Sequence, residues 1–181
     1  MKKKSLRIEY GKHLVELGGR LPNLVALEAD LQDSTQSVQF LRAFPKRYIQ
    51  VGVAEQNMVG ISAGLALAGK IPVAHSFACF ISLRACEQVR TTVAYPRLNV
   101  KFLAAHAGIS AGSAGTTHHA LEDIAIMRAM PNMTVLVPGD TQELRQVLEA
   151  ALKYKGPVYI RVCAMETEDI YTNKDKFSIG R

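Results

Sequence analysis

At 181 residues, with 48% hydrophobic and 21% charged side chains, the chain has the composition of one globular domain with its own core, which excludes disordered and fibrous classes. A net charge of +6 invites an anionic partner. The lysines and arginines are nevertheless spread over the amino end and helical faces without an aromatic-interleaved stripe, so a solvated surface is the first reading and no nucleic acid is expected. The longest apolar stretch, residues 58–68, is too short to span a bilayer, and no signal-peptide core follows Met1-Lys2-Lys3-Lys4. The three cysteines form no CxxC pair. A cytoplasmic chain with reduced thiols and no membrane contact is predicted.

Along the chain, nearly continuous apolar runs of β type occur at residues 24–29, 48–53, 71–74, 100–105, 134–137 and 158–162, as expected of strands buried on both faces. Helical patterns fall between them, near residues 5–17, 35–42, 55–68, 81–94, 120–130 and 141–153. In the last, Thr141 precedes Glu143 and a Leu/Val/Leu stripe, which suits a capped amphipathic helix. Six strands joined by crossover helices predict an α/β fold: a doubly wound, mainly parallel six-stranded sheet with helices on both faces. From Met165 onward the composition turns polar, so residues 1–164 are expected to form the domain and residues 165–181 a linker toward a further domain.

Ligands of an open parallel sheet sit beyond the carboxyl ends of its strands. That rule selects Asp30 and Leu31, then Glu55, the 75–80 segment with His75, Phe77 and Phe80, the 106–110 segment with His106, and Pro138 to Asp140. Glu55 is the most telling of these. In Val51-Gly52-Val53-Ala54-Glu55-Gln56-Asn57-Met58 a β-branched run ends at a glycine, and an acid then opens a helix rich in small residues. An acid in the first helical turn gains up to about 1 kcal/mol from the helix dipole, so spacing alone favours a helix-start role. By the same standard Phe77 and Phe80 read as core aromatics and a lone histidine as a satisfied polar residue. The glycine-rich loop at 107–119 is long for a connection, and it carries neither a Walker lysine nor a GxGxxG after the first strand. The histidines lie in separate segments without zinc-ligand spacing, so no metal is expected on this chain.

Taken in order, the Val-Gly-Val-Ala-Glu-Gln-Asn-Met block, Asp30-Leu31, Phe77-Ala-Cys-Phe80 leading to Arg84-Ala-Cys-Glu-Gln-Val-Arg90, the glycine loop closing on Thr117-His118, and Leu121-Glu-Asp-Ile-Ala-Ile-Met-Arg128 form a specific set. Together they resemble the pyrimidine-binding domain of transketolases, and in particular the separate carboxy-terminal subunit of split transketolases. A more distant similarity extends to 1-deoxyxylulose-5-phosphate synthase and the β subunits of 2-oxoacid dehydrogenases. The resemblance implies a thiamin diphosphate site in which Glu55 hydrogen-bonds N1′ of the aminopyrimidine and so favours the imino tautomer that deprotonates thiazolium C2. It also implies that Phe77 and Phe80 pack on the pyrimidine, that Asp30 and Leu31 line the thiazolium side, and that Arg84 belongs to the cofactor site. His106 and His118 would face substrate, with His75 on the same rim.

The same resemblance implies a partner. No Gly-Asp-Gly occurs in this chain, so magnesium and the diphosphate are expected on an amino-terminal diphosphate-binding subunit, with the cofactor shared in a homodimer or heterotetramer. Two positions depart from the family pattern. Gly112-Ser113-Ala114-Gly115 stands where relatives carry an acidic pair, and Ala164 stands where a phosphate-binding arginine is common, with Arg161 three residues earlier. The expected activity is transfer of a two-carbon ketol unit between sugars or sugar phosphates. A synthase of the deoxyxylulose-phosphate type and a non-catalytic dimerising subunit are the alternatives.

Overall fold

A computed structural model describes residues 3–172 and 174–180. Six strands, β2 (Leu24–Glu28), β3 (Tyr48–Gln50), β4 (Ile71–Phe77), β5 (Lys101–Ala105), β6 (Thr134–Leu136) and β7 (Val158–Arg161), form one sheet in the order β3-β2-β4-β5-β7-β6. Every pair is parallel. The doubly wound sheet expected from the apolar runs is thus present. A short antiparallel ladder joins β1 (Lys4–Ser5) to β8 (Glu166–Thr167).

Two apolar layers cover the two faces. On one, α1 (Leu6–Arg20), α3 (Val38–Ala43) and α7 (Thr141–Lys153) bury Tyr10, Leu14, Phe40, Leu144 and Leu148 against β2, β4 and β7. The close approach of α1 to its neighbours requires glycine. A Cβ on Gly18 would lie 2.5 Å from the Phe40 ring. On the other face, α4 (Glu55–Leu67), α6 (Asp123–Ala129) and the irregular 80–94 segment cover Leu27, Ala74, Phe102, Ala104 and Tyr159.

Several predicted boundaries move, each for a physical reason. The expected helix at 35–42 is two: α2 (Gln32–Thr35) ends where Gln36 turns left-handed at φ 64°, and α3 starts after it. The expected helix at 81–94 is a pair of wide π-type turns, Phe80–Arg84 and Val89–Ala94, flanking α5 (Cys86–Gln88). The Ala85 N–H reaches back five residues to the Phe80 carbonyl, and Tyr95 does the same to Arg90. Such turns shift side chains around the helix axis and are frequent at functional sites. The α7 cap is Asp140, whose carboxylate accepts the Glu143 N–H at 2.8 Å, one residue before the Thr141 that the sequence suggests.

Several residues after Met165 contact the domain. Asp140, fully buried, also accepts the N–H groups of Ile170 and Tyr171 at 2.6 and 2.7 Å. Asp169 accepts from Thr141 and pairs with Lys4, while Phe177 and Ile179 pack on the α1/α7 layer.

Candidate active site

The carboxyl ends of β2, β4 and β5 open on one edge, and α4 begins beside them. Gly52, at φ 71°, stops β3 and turns the chain so that Glu55 becomes the first residue of α4. Its side chain is 3% exposed. The Ser76 hydroxyl donates to Glu55 Oε1 at 3.1 Å, and Arg84 Nη1 stands 3.4 Å from both carboxylate oxygens. Beside this acid lies an open hollow of about 490 Å³ lined by Val53, Ala54, Gln56, Asn57 and Arg84. A buried carboxylate with long contacts at the wall of a hollow retains acceptor capacity for a group arriving from outside.

β4 runs to Phe77, and the wide turn after it brings Phe80 back against it, so the rings stack 12° from parallel with centroids 5.6 Å apart. The Arg84 guanidinium covers Phe80 at 3.6 Å while reaching Glu55, a cation–π contact that ties the aromatic pair to the acid. His106 stacks on Phe77 at 4.1 Å between centroids, and the His118 ring meets Phe80 edge-on at 5.3 Å. The 107–119 loop makes this possible because Gly108 and Ala120 exchange two backbone hydrogen bonds, 3.1 and 2.9 Å, that close it at its base. Its two single 3-10 turns, Gly112–Ala114 and Thr116–His118, then carry His118 over the ring pair.

His106 sits in the left-handed region at φ 54°, uncommon for a residue with a side chain. Burial, followed by the nearby charges of Arg7 and His118, pushes it down to about 4, so it is neutral at physiological pH. Its buried Nδ1 has no partner.

Six of the predicted site residues therefore converge: Glu55, Phe77, Phe80, Arg84, His106 and His118. Asp30 and Leu31 lie at the adjacent β2 end, Asp30 exposed in the left-handed region at φ 63° and Leu31 packed on the apolar layer beneath. His75 is elsewhere. The expectation of a rim histidine is corrected, because β4 continues three residues beyond Ala74 and encloses His75 in the opposite layer with no exposure. Its Nδ1–H donates to the Leu27 carbonyl at 2.8 Å and Nε2 accepts the Tyr10 hydroxyl at 2.5 Å. Burial holds it down to about 4.

The residues that sequence reasoning missed are Ser76, which touches Glu55, and Arg7, whose charge reaches His106 and which donates to the Ser34 carbonyl at 2.6 Å. A polar pair, His75-Ser76, inside an apolar strand was the available signal for the first; for Arg7 there was none. Arg161, three residues before Ala164, turns inward: its Nε donates to the buried Asp123 at 2.8 Å and its Nη2 to the Ala120 carbonyl. Among the described residues no cluster of three or more His, Cys, Asp and Glu side chains is arranged to hold a metal ion.

Comparison with known proteins agrees with this geometry. The sequence profile of the transketolase pyrimidine-binding domain matches residues 2–168. A protein of Methanocaldococcus jannaschii, assigned provisionally as a transketolase C-terminal section, is 51% identical over 98% of this chain and 57% of its own length. The 6-deoxy-6-sulfo-D-fructose transketolase subunit SqwH of a Clostridium species is 44% identical over 97% of this chain and 55% of its own. A solved structure titled as a split gene transketolase, inactive β4 tetramer, superposes with a TM-score of 0.87 at 44% identity, covering 98% of this chain and 56% of that one. The chain spans a little over half the length of these relatives. With its fold, the aromatic pair beside Glu55 and these matches, the chain belongs to the transketolase pyrimidine-binding domain family.

Proposed function

We propose that this chain is the pyrimidine-binding half of a transketolase-type enzyme that transfers a two-carbon ketol unit between sugars or sugar phosphates. The observation that carries it is Glu55: a carboxylate 3% exposed, with only long contacts to Ser76 and Arg84, at the wall of an open hollow and tied through Arg84 to the stacked Phe77 and Phe80. That donor and acceptor set fits an aminopyrimidine. Thiamin diphosphate supplies carbanion-stabilising chemistry when bound. The residues of this chain would hold its pyrimidine half. Glu55 would accept and hold a proton at a fixed carboxylate oxygen, and Phe77 and Phe80 would supply an apolar wall that is covered in this structure by Arg84 and His106. His106, neutral, and His118 stand over that wall where they can bond substrate hydroxyls.

Magnesium and the diphosphate fall to an amino-terminal partner subunit, since this chain contains no Gly-Asp-Gly. A related subunit described as an inactive β4 tetramer supports both self-association and the need for that partner. The free thiols Cys79, Cys86 and Cys163, and the absence among the described residues of a helix long and apolar enough to cross a membrane, suit a reducing cytoplasm. Calorimetry tests the division of labour. Thiamin diphosphate with magnesium should show no appreciable binding to this chain alone and clear binding once a Gly-Asp-Gly subunit is added. Tight binding by the isolated chain, or none by the pair, defeats it.

A further inference from the structure

One buried acid takes no part in the site just described. Glu28, the last residue of β2, is fully buried, yet its carboxylate collects four donors. Oε1 accepts the backbone N–H groups of Ala29 at 3.1 Å and Leu31 at 3.3 Å. Oε2 accepts the hydroxyls of Thr35 at 2.7 Å and Ser37 at 2.5 Å. Between the two amides, the N–H of Asp30 goes to Gln50 Oε1 at 2.9 Å. Three successive backbone donors are thus bonded by side chains, at the one place where the chain leaves β2 and Asp30 adopts a left-handed φ of 63°.

We propose that Glu28 is a positioning residue: it fixes the turn at Ala29–Leu31 and so sets where Asp30 and Leu31 stand at the edge of the cofactor site. The proposal rests on the functional reading above for the importance of that edge, and on the hydrogen bonds alone for the turn. An apolar residue in place of Glu28 would satisfy the sheet as well and avoid burying a carboxylate, so stability of the strand does not call for an acid. What only an acceptor supplies is a partner for the Leu31 amide, which no strand or helix pairs, and a second one for the Ala29 N–H, which also bonds the His75 carbonyl of β4 at 3.3 Å. The hydrogen bonds continue outward from Ser37. Ser37 bonds the Tyr48 hydroxyl at 2.9 Å, which is 3.5 Å from Gln32 Oε1, so α2, α3 and β3 all register against the same carboxylate. Burial pushes Glu28 up to about 7, against the pull of the four hydrogen bonds. Either protonation state can accept from the two amides.

Two variants separate positioning from bulk stability. Glu28→Gln keeps an oxygen for the amides; Glu28→Ala removes it. In the full chain, hydrogen exchange should show the Ala29 and Leu31 amides of Glu28→Ala exchanging at least about tenfold faster, the scale of one lost buried acceptor, while Leu27 in the same strand keeps its protection. With the diphosphate-binding subunit and magnesium present, thiamin diphosphate should bind Glu28→Ala at least about tenfold more weakly, and Glu28→Gln should restore most of the affinity. The proposal is overturned if the two amides exchange as in the parent chain or only in step with Leu27, or if cofactor affinity is unchanged in Glu28→Ala. Failure of the parent complex to bind thiamin diphosphate would instead sink the functional reading, and the exchange result would still decide whether Glu28 sets the turn.

Discussion

Arg84 touches Glu55 and Phe80 at once: its Nη1 is 3.4 Å from both carboxylate oxygens, and its guanidinium carbon lies 3.6 Å above the ring. The arginine side chain is 48% exposed and the acid 3%. The pair is therefore asymmetric, with a sequestered carboxylate and a cation able to move off it. The cation is half exposed and its contacts are long, and Glu55 keeps the Ser76 hydroxyl while the glutamine of Arg84→Gln still offers a donor, so this variant should leave the thermal midpoint within a few degrees of the parent. A large drop in the midpoint would show that the contact is structural and that Arg84 is not free to yield Glu55 to a ligand.

Glu55 itself should behave differently. In the complex with a diphosphate-binding subunit, Glu55→Gln should fold normally and slow thiazolium C2–H exchange, followed by NMR, by at least about a hundredfold, the lower scale of positioned acid–base catalysis. Arg84→Gln should slow it less. An unchanged rate for Glu55→Gln would reduce the acid to a helix-start residue stabilised by the dipole of α4.

How much of this was legible follows from what the sequence encodes locally. The six strands and the acid at the start of α4 were visible because burial on both faces writes a continuous apolar run and a helix start writes an acid after a glycine. The length of β4 was not. His75-Ser76 interrupts the apolar run after Ala74, and only the pairing of His75 with Glu28 and Leu103 on the flanking strands shows that the strand continues. The wide turns around α5 were hidden for a related reason: apolar periodicity reports a face, whereas the choice of a five-residue over a four-residue hydrogen bond depends on what packs against it. Arg7 and Ser76 act through contacts with residues distant in the chain, which no local pattern records, whereas Glu28 bonds Ala29, Leu31, Thr35 and Ser37 close by, through a turn whose geometry an apolar run does not encode.

Arg161 offers a test of a position left open between two roles. Its Nε and the Tyr159 hydroxyl both donate to Asp123 Oδ2, at 2.8 and 2.9 Å, and Asp123 is fully buried. Removing the arginine strands a buried charge, so Arg161→Met should destabilise the chain by about 3–5 kcal/mol in urea titrations, whereas the double change Asp123→Leu with Arg161→Met should recover most of it. A single variant of normal stability that instead loses sugar-phosphate affinity would return Arg161 to the substrate.

The pH dependence of stability should show two opposing limbs. Glu28 titrates at about 7 in the folded chain against 4.5 unfolded, so between those values the native state holds the extra proton and stability falls as pH rises, by about 3 kcal/mol at most. His75 titrates at about 4 against 6.5, so there the unfolded state holds the extra proton and stability rises with pH over nearly the same window. His106, only partly buried, adds to the second limb. The parent chain should therefore gain stability from pH 4.5 to 6.5, though less steeply than the two histidines alone would give. Glu28→Gln should steepen that rise, read as a urea midpoint that climbs faster over the same range. Parallel pH curves for the two proteins would mean that Glu28 does not titrate there.

Two positions at which the family resemblance leads to an expectation of charged groups hold alanine instead. Ala114 is exposed in a single 3-10 turn, and Ala164 uses its N–H to bond Ser110 Oγ at 3.0 Å, so neither position presents a charge to a sugar phosphate. Arg161 cannot substitute while it is held by Asp123. A missing charged hydrogen bond costs about 1.5–3 kcal/mol, or one to two orders of magnitude in specificity. If those charges matter, the complex should discriminate against standard pentose phosphates unless the partner subunit supplies the contacts. Ala114→Asp and Ala164→Arg, singly and together, should raise kcat/KM for xylulose 5-phosphate more than for small unphosphorylated ketols. If the parent complex already turns over xylulose 5-phosphate with ordinary transketolase efficiency and neither change alters it, the two alanines are neutral and this reading of specificity is wrong.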